Sequence, residues 1–186
     1  MLLIRDMTER DLRAVSAVRV RGWQFAYTGL LPQATLDAMS VEEDLARRRE
    51  IFAHARGTAD GPTDLVAERD GEVIGWACTG PCRDADADPG DGELYALYVL
   101  PEHLSTGTGR ALLTASLARA ADRGFTALRL WVLEGNARAR RFYAIAGFAP
   151  DGGRDPNVVD GAPAPEVRYT LRLSGAAPAG PAPLGP

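Results

Sequence analysis

Two closely spaced glycines, Gly107 and Gly109, lie in the segment ELYALYVLPEHLSTGTGRALL, residues 93–113. The residue types there run as an apolar strand, a proline break, a glycine-rich turn and a helix start. Neither glycine carries a Cβ, so backbone N–H groups of the turn can come close to a ligand. A helix beginning near Gly109 adds its unpaired N-terminal donors and the positive end of its dipole. The chemistry that follows is anion binding, with a phosphate-bearing ligand as the first expectation. A tight strand-to-helix turn without a ligand is the plain alternative, and these residues alone leave both open. They do not spell a dinucleotide fingerprint: Leu112 follows with no third glycine, and no acidic residue ends a strand about 20 residues on.

The elements that position this turn can be read from the flanking sequence. Leu2 to Arg5 reads as a strand, and Thr8 with Asp11 as the N-cap region of a helix that carries Leu12, Val15 and Val18 and ends before Gly29. Pro32 suits the first turn of a short second helix, and Ser40 with Glu43 forms a capping box for a third, through about His54. After Gly57–Pro62 the period changes. Residues 64–69 and 72–79 are strand-like runs around Asp70–Gly71, a strong hairpin signal. A polar loop with Asp84, Asp86, Asp88 and Asp91 precedes the Glu93–Leu100 strand, and a helix follows the glycines. Residues 127–133 read as a strand, 137–146 as a helix stopped by Gly147, and Phe148 with Val167–Leu173 as a last strand pair. Residues 1–173 thus read as one α+β domain, and 174–186, SGAAPAGPAPLGP, as a disordered tail with almost nothing to bury.

Bulk properties narrow the function. The chain has 186 residues, 46% hydrophobic and 25% charged, with a net charge of −4. That balance argues against a nucleic-acid binder. Every one of its 21 basic residues is arginine, which removes Schiff-base lysine chemistry and a P-loop lysine. Cys78 and Cys82 make one CTGPC pair. Without a second pair they suit reduced thiols better than zinc, so no metal is expected. The N-terminus lacks a basic region followed by an apolar core, and the longest apolar run, residues 94–100, is too short to span a bilayer. A cytoplasmic protein without membrane or nucleic-acid partners is the expectation.

A second cluster, LWVLEGNARARRFYAIAGF at residues 130–148, places Arg140 and Tyr143 three apart on one helix. Together LYVLPEHLSTGTGRALL and VLEGNARARRFYAIAGF resemble the GNAT superfamily of acyl-CoA N-acyltransferases, and WQFAYTGLLP at residues 23–32 is similar to its substrate-side helix region. The resemblance covers essentially residues 2–173. It departs at Leu104, where the family usually has Gln or Arg three residues before the first glycine. The fold it implies has a mixed, mostly antiparallel central sheet, helices on both faces and a splayed strand pair that binds CoA.

The resemblance implies an N-acetyltransferase that moves an acetyl group from acetyl-CoA to a primary amine of a small molecule or peptide. Backbone N–H groups of Ser105, Thr106, Gly107, Thr108, Gly109 and Arg110 would hold the pyrophosphate. Leu97 and Val99 would offer main-chain groups to the pantetheine arm, much as an added strand is held. Asn136 would cap its helix and touch the pantetheine or an ordered water. Glu93 stands where the family places a base; the alternative is a strand-end carboxylate. Tyr143 is the family's usual acid. A phenol near 10 and a thiol near 8.5 differ by about 1.5 pKa units, roughly 2 kcal/mol uphill. Either the site lowers the Tyr143 pKa, or Tyr143 hydrogen-bonds the thiolate while water supplies the proton. Trp23 and Tyr27 either wall an acceptor pocket or fill the core. The loop aspartates either attract a cationic amine or are solvated. A homodimer is also among the family's habits. A GNAT-fold acyl-CoA sensing module without catalysis is the rival reading.

Overall fold

The computed structural model describes residues 1–55 and 61–173. The expected tail at 174–186 lies outside the described residues. Along the chain run β1 (Leu2–Asp6), α1 (Leu12–Tyr27), α2 (Gln33–Asp37), α3 (Val41–Ala55), β2 (Thr63–Arg69), β3 (Glu72–Pro81) and β4 (Asp91–Val99). Then follow α4 (Thr108–Asp122), β5 (Ala127–Leu133), α5 (Ala137–Ile145), β6 (Ala149–Asp155), β7 (Val158–Val159), β8 (Ala162–Pro163) and β9 (Glu166–Arg172).

Seven strands form one sheet in the order β1-β2-β3-β4-β5-β9-β6. Every neighbouring pair is antiparallel except β4 and β5, which are parallel. The expected mixed, mainly antiparallel α+β sheet is therefore present. Local chemistry accounts for its turns. Asp70 and Gly71 both adopt positive φ, 52° and 88°, as a two-residue hairpin that matches strand twist requires. Ser40 Oγ accepts the Glu43 N–H at 3.3 Å and starts α3. Asp11 accepts the Thr8 N–H at 2.7 Å and also takes both terminal nitrogens of Arg5, at 2.7 and 2.8 Å.

Helices cover both faces. On one, Leu112, Leu113 and Ala120 of α4 pack with Leu65, Ile74, Leu94, Val99, Leu128 and Leu130. Leu112 and Leu113 are almost fully buried, each worth roughly 1.5–3 kcal/mol against exposure. On the other, Val15 and Val18 of α1 meet Val66, Trp76 and Cys78. A third cluster, Leu31, Leu36, Leu133 and Ala164, ties the α1–α2 connection to the C-terminal half of the sheet, with Trp23 and Tyr27 packed against it. Arg48 of α3 lies over the Trp76 ring at 4.2 Å and pairs with buried Asp44 at 3.2 Å.

Candidate active site

Pairing between β4 and β5 joins Asp91 to Ala127, Gly92 to Leu128 and Glu93 to Arg129, and then stops. Beyond Glu93 the two strands part, while β4 stays paired to β3 as far as Val99. This leaves one edge of β4 open over residues 94–99. The Leu100 N–H is donated back to Ile74 on β3 at 2.9 Å. Strand backbone groups alternate in direction, so the main-chain groups of Val99 and Leu97 face the open side. A cleft of about 780 Å³ fills the gap, lined by residues 94–99 of β4, Trp131 and Val132 of β5, and residues of α1, α4 and α5.

The glycine turn forms one end of that cleft. Ser105 and Gly107 both have positive φ, 62° and 87°, and Gly107 is the N-cap of α4. Successive turns of this kind aim N–H groups into a concavity. Thr106 Oγ1 donates to the His103 carbonyl at 2.8 Å and lies 3.0 Å from Thr108 Oγ1, which fixes the loop from within. Leu104 is half-buried against the main core, so an apolar contact anchors the loop where a polar residue was expected. Gly109 has no strained backbone, and an added Cβ there would meet Phe142 at 3.6 Å, an ordinary contact. Nothing among the described residues requires a glycine at 109.

The other wall is α5. Asn136 caps it, accepting the Ala139 N–H at 3.0 Å, and lines the cleft together with Ala139, Phe142 and Tyr143. The Tyr143 ring is held edge-on by Phe142 and Phe148, with centroids 5.2 and 5.8 Å away. Its hydroxyl has no hydrogen-bond partner among the described residues. Burial, with Tyr98 close by, pushes its pKa well above that of free tyrosine. Arg110, Arg138 and Arg141 rim the cleft, and Arg138 reaches Ser105 Oγ at 3.4 Å. Arg140 turns away, to Tyr169 Oη and the Glu134 carbonyl. The rim is cationic on a chain of net negative charge.

On the α1 side, Tyr27 lines the cleft and Trp23 does not. Trp23 packs edge-on behind Tyr27 at 4.9 Å. The Tyr27 hydroxyl lies 3.4 Å from that of Tyr98, and burial raises both pKa values.

Glu93 stands apart from the other site residues. It is 4% exposed, does not line the cleft, and its carboxylate accepts from both the backbone N–H and Nε of Arg83 at 3.1 Å and from Nη2 as well. Arg83 in turn stacks over the Tyr95 ring at 4.0 Å. Three N–H donors of one arginine thus occupy the Glu93 carboxylate. In this arrangement Glu93, expected as the base, ties the loop after β3 to the sheet.

Three of the four loop aspartates are likewise engaged. Asp84 accepts from Trp131 Nε1 and Arg168, both at 2.9 Å. Asp86 pairs with Arg129 at 3.0 Å and Arg168 at 2.7 Å, and buried Asp91 with Arg129 at 2.6 Å. Asp84 and Asp91 are thus held by their partners, while Asp86, though paired, and Asp88 remain exposed to solvent. Cys82, Asp84 and Glu93 come within 4.8 Å of one another, but both carboxylates already face cationic or N–H donors. Sequence reasoning missed Tyr98, Trp131 and Arg83. Strand alternation from Val99 flags Tyr98, whereas nothing local marks Arg83 as the partner of Glu93.

An open strand edge leading to a glycine turn at a helix N-terminus, inside a split mixed sheet, defines an N-acetyltransferase architecture. The chain belongs to the acetyltransferase (GNAT) family, whose sequence model matches residues 24–148. The N-acetyltransferase YuaI of Bacillus subtilis, a protein of uncharacterized function, is 30% identical over 138 residues, 73% of this chain and 74% of YuaI. The ribosomal-protein-alanine N-acetyltransferase of Brucella melitensis superposes with a TM-score of 0.74 at 27% identity, covering 92% of this chain and 99% of that one. The PaiA N-acetyltransferase of Thermoplasma acidophilum, solved in complex with coenzyme A, has a TM-score of 0.72 at 20% identity over 92% and 99%, a likeness of fold alone. No helix among the described residues is long and apolar enough to cross a membrane.

Proposed function

We propose that this chain transfers an acetyl group from acetyl-CoA to a primary amine by direct attack in a ternary complex. The observation that carries the reading is the open edge of β4, which runs from the middle of the sheet to the Ser105–Gly107 turn. A pantetheine arm satisfies that edge as an added strand does, and the turn with the N-terminus of α4 suits a pyrophosphate. Arg110, Arg138 and Arg141 at the rim suit the nucleotide phosphates. Gly109, which no contact among the described residues requires, is explained by a ligand that comes close to its Cα.

The amine nitrogen attacks the thioester carbon, and the thiolate leaves. Tyr143 is the donor assigned to that sulfur: it lines the cleft, and its hydroxyl has no partner among the described residues. Its raised pKa moves it further from proton transfer to a thiolate, since a thiol titrates near 8.5. We assign it a hydrogen bond to the departing thiolate, with water supplying the proton. Tyr27 and Tyr98 wall the acceptor side. The clamp on Glu93 keeps a second reading in view, a binding module without turnover.

Two measurements test the proposal. Acetyl-CoA at about 100 times its Kd adds about 2.7 kcal/mol, so the melting temperature should rise by roughly 5–10 °C for a chain of this size. NAD and ATP should leave it unchanged, and the opposite ranking sinks the CoA assignment. Release of CoA thiol with an amine panel separates the transferase from the binding module, for which no amine would raise thiol release.

A further inference from the structure

We infer that Glu166 is the carboxylate that receives the acceptor amine, first holding its ammonium and then taking its proton. The inference rests on the transferase reading and deepens it. Val167 and Tyr169 of β9 point into the core beneath α4, so alternation puts Glu166 and Arg168 on the opposite face, toward α1 and α2. Arg168 sits 5.5 Å from the Trp131 ring, which lines the cleft. Glu166 pairs in register with Leu133, whose side chain packs in the cluster that holds Tyr27 and Trp23. Glu166 thus stands one residue beyond Val132, the last β5 residue lining the cleft, and borders the cleft behind Tyr27 without being one of its lining residues. Its charge is close enough to Tyr27 and Tyr98 to push both hydroxyls toward higher pKa.

What sets Glu166 apart is the lack of a partner. On this face of the sheet Asp84, Asp86, Asp91, Asp151 and Glu93 each have an arginine. Among the described residues Glu166 has neither a cation nor a hydrogen-bond donor on its half-buried carboxylate. Its register neighbour on β6 is Asp155, likewise without an ion pair among the described residues. Like charges opposite one another on a sheet are unfavourable. A cation between the two would relieve that repulsion, and an alkyl amine is a cation at neutral pH. Burial, and after it Asp155, raises the Glu166 pKa, which moves a carboxylate toward the range useful for a general base. The titratable groups facing it are Asp155 on β6, Tyr27 on α1 and Tyr98 on β4; Arg168 is already spent on Asp84, Asp86 and Asp151.

The step balances. The ammonium gives one proton to the Glu166 carboxylate, and the freed lone pair forms the C–N bond as the C–S bond breaks. The second proton leaves nitrogen and reaches the thiolate sulfur through water. Glu166 then returns its proton to solvent. Acetyl-CoA and an ammonium become an N-acetyl amine, CoA thiol and one released proton.

The test compares wild type, Glu166→Gln and Glu166→Asp with acetyl-CoA and three probes: putrescine, 2-phenylethylamine and an alanine-terminated tripeptide. Glu166→Gln should lower kcat/KM by about 10²–10⁴-fold, the usual size of general-base catalysis. It should also abolish the acidic limb of the pH–rate profile and leave the Kd for acetyl-CoA unchanged. Glu166→Asp should keep the limb at a reduced rate. The Gln variant should melt no lower than wild type, because it removes a repulsion and leaves no group unpaired. Turnover and pH profile indistinguishable from wild type, or a drop in melting temperature with the pH profile retained, overturn the assignment of Glu166 alone. If wild type acetylates none of the three amines, the transferase reading falls, and this inference with it.

Discussion

Replacing Gly109 by alanine should make the protein more stable and a poorer binder of acetyl-CoA. The two effects have separate origins. Gly109 lies in the first turn of α4 with no positive φ, and an added methyl would sit 3.6 Å from Phe142 Cζ and 3.8 Å from Val99 Cγ2, ordinary contacts that displace nothing. Alanine in a helix is favoured over glycine by roughly 0.5–1 kcal/mol, and a first-turn position should give the lower end. For a chain of this size that is a rise of about 1–4 °C in melting temperature. The binding effect runs the other way. A methyl at the turn keeps a pyrophosphate oxygen from the backbone N–H groups, and a hydrogen bond to a charged group is worth about 1.5–3 kcal/mol. Acetyl-CoA affinity should therefore fall by roughly 10–100-fold. Thermal melts without ligand and calorimetric titration with acetyl-CoA read the two effects separately. Gly107→Ala is the control: φ is 87° there, so alanine should cost about 1–2 kcal/mol by backbone strain. If Gly109→Ala lowers the melting temperature, the packing argument fails. If it binds acetyl-CoA as tightly as wild type, the turn does not hold the pyrophosphate.

Three further perturbations separate support from chemistry. Tyr143→Phe should reduce kcat by about 10–100-fold, the value of one hydrogen bond to a developing anion, with no loss of acetyl-CoA affinity; undiminished turnover would remove Tyr143 from the mechanism. Arg83→Met leaves the Glu93 carboxylate buried without its counter-charge, which should cost about 1–3 kcal/mol, and adding Glu93→Gln should recover most of the loss in thermal melts. Asp11 is held down to about 2 first by its hydrogen bonds to Arg5, against the opposing pull of burial. Its folded-state pKa lies below the unfolded one, so its contribution is fully present above about pH 4 and is lost as pH falls toward 2. Denaturation across that window should show Asp11→Asn about 1–2 kcal/mol weaker at neutral pH, after discounting for the part-exposed Arg5, and less sensitive to acid.

How far the sequence carried depends on whether a signal is local. Asp70–Gly71, Ser40 with Glu43, Asn136 and Gly107 each act within a few residues, through a backbone conformation or a cap, and each appears where its type demands. The opening between β4 and β5 was legible only through the family resemblance, because ELYALYV reads as an ordinary paired strand. The pairing with β5 stops after Glu93, and no residue type in that run announces it. A bulge compounds this: Ala96 pairs with Cys78 and Leu94 with Thr79, leaving Tyr95 extra, so that Tyr95 and Ala96 both face α1. Simple alternation across residues 93–99 therefore misplaces one end of the strand relative to the other.

The two glutamates show what sequence position cannot decide. Glu93 and Glu166 are the same residue type in neighbouring parts of one sheet. Register brings Arg83 onto Glu93, where the bulged β3–β4 hairpin returns the chain ten residues later, and so makes that carboxylate a fastening. It brings Asp155 against Glu166, a like charge that raises the cost of ionisation and offers no donor. A carboxylate fit to take a proton is one whose ionised form is left incompletely satisfied by the fold. On the reading proposed above, the reactive group is chosen by what the sheet places opposite it: an arginine beside Glu93, a second carboxylate beside Glu166.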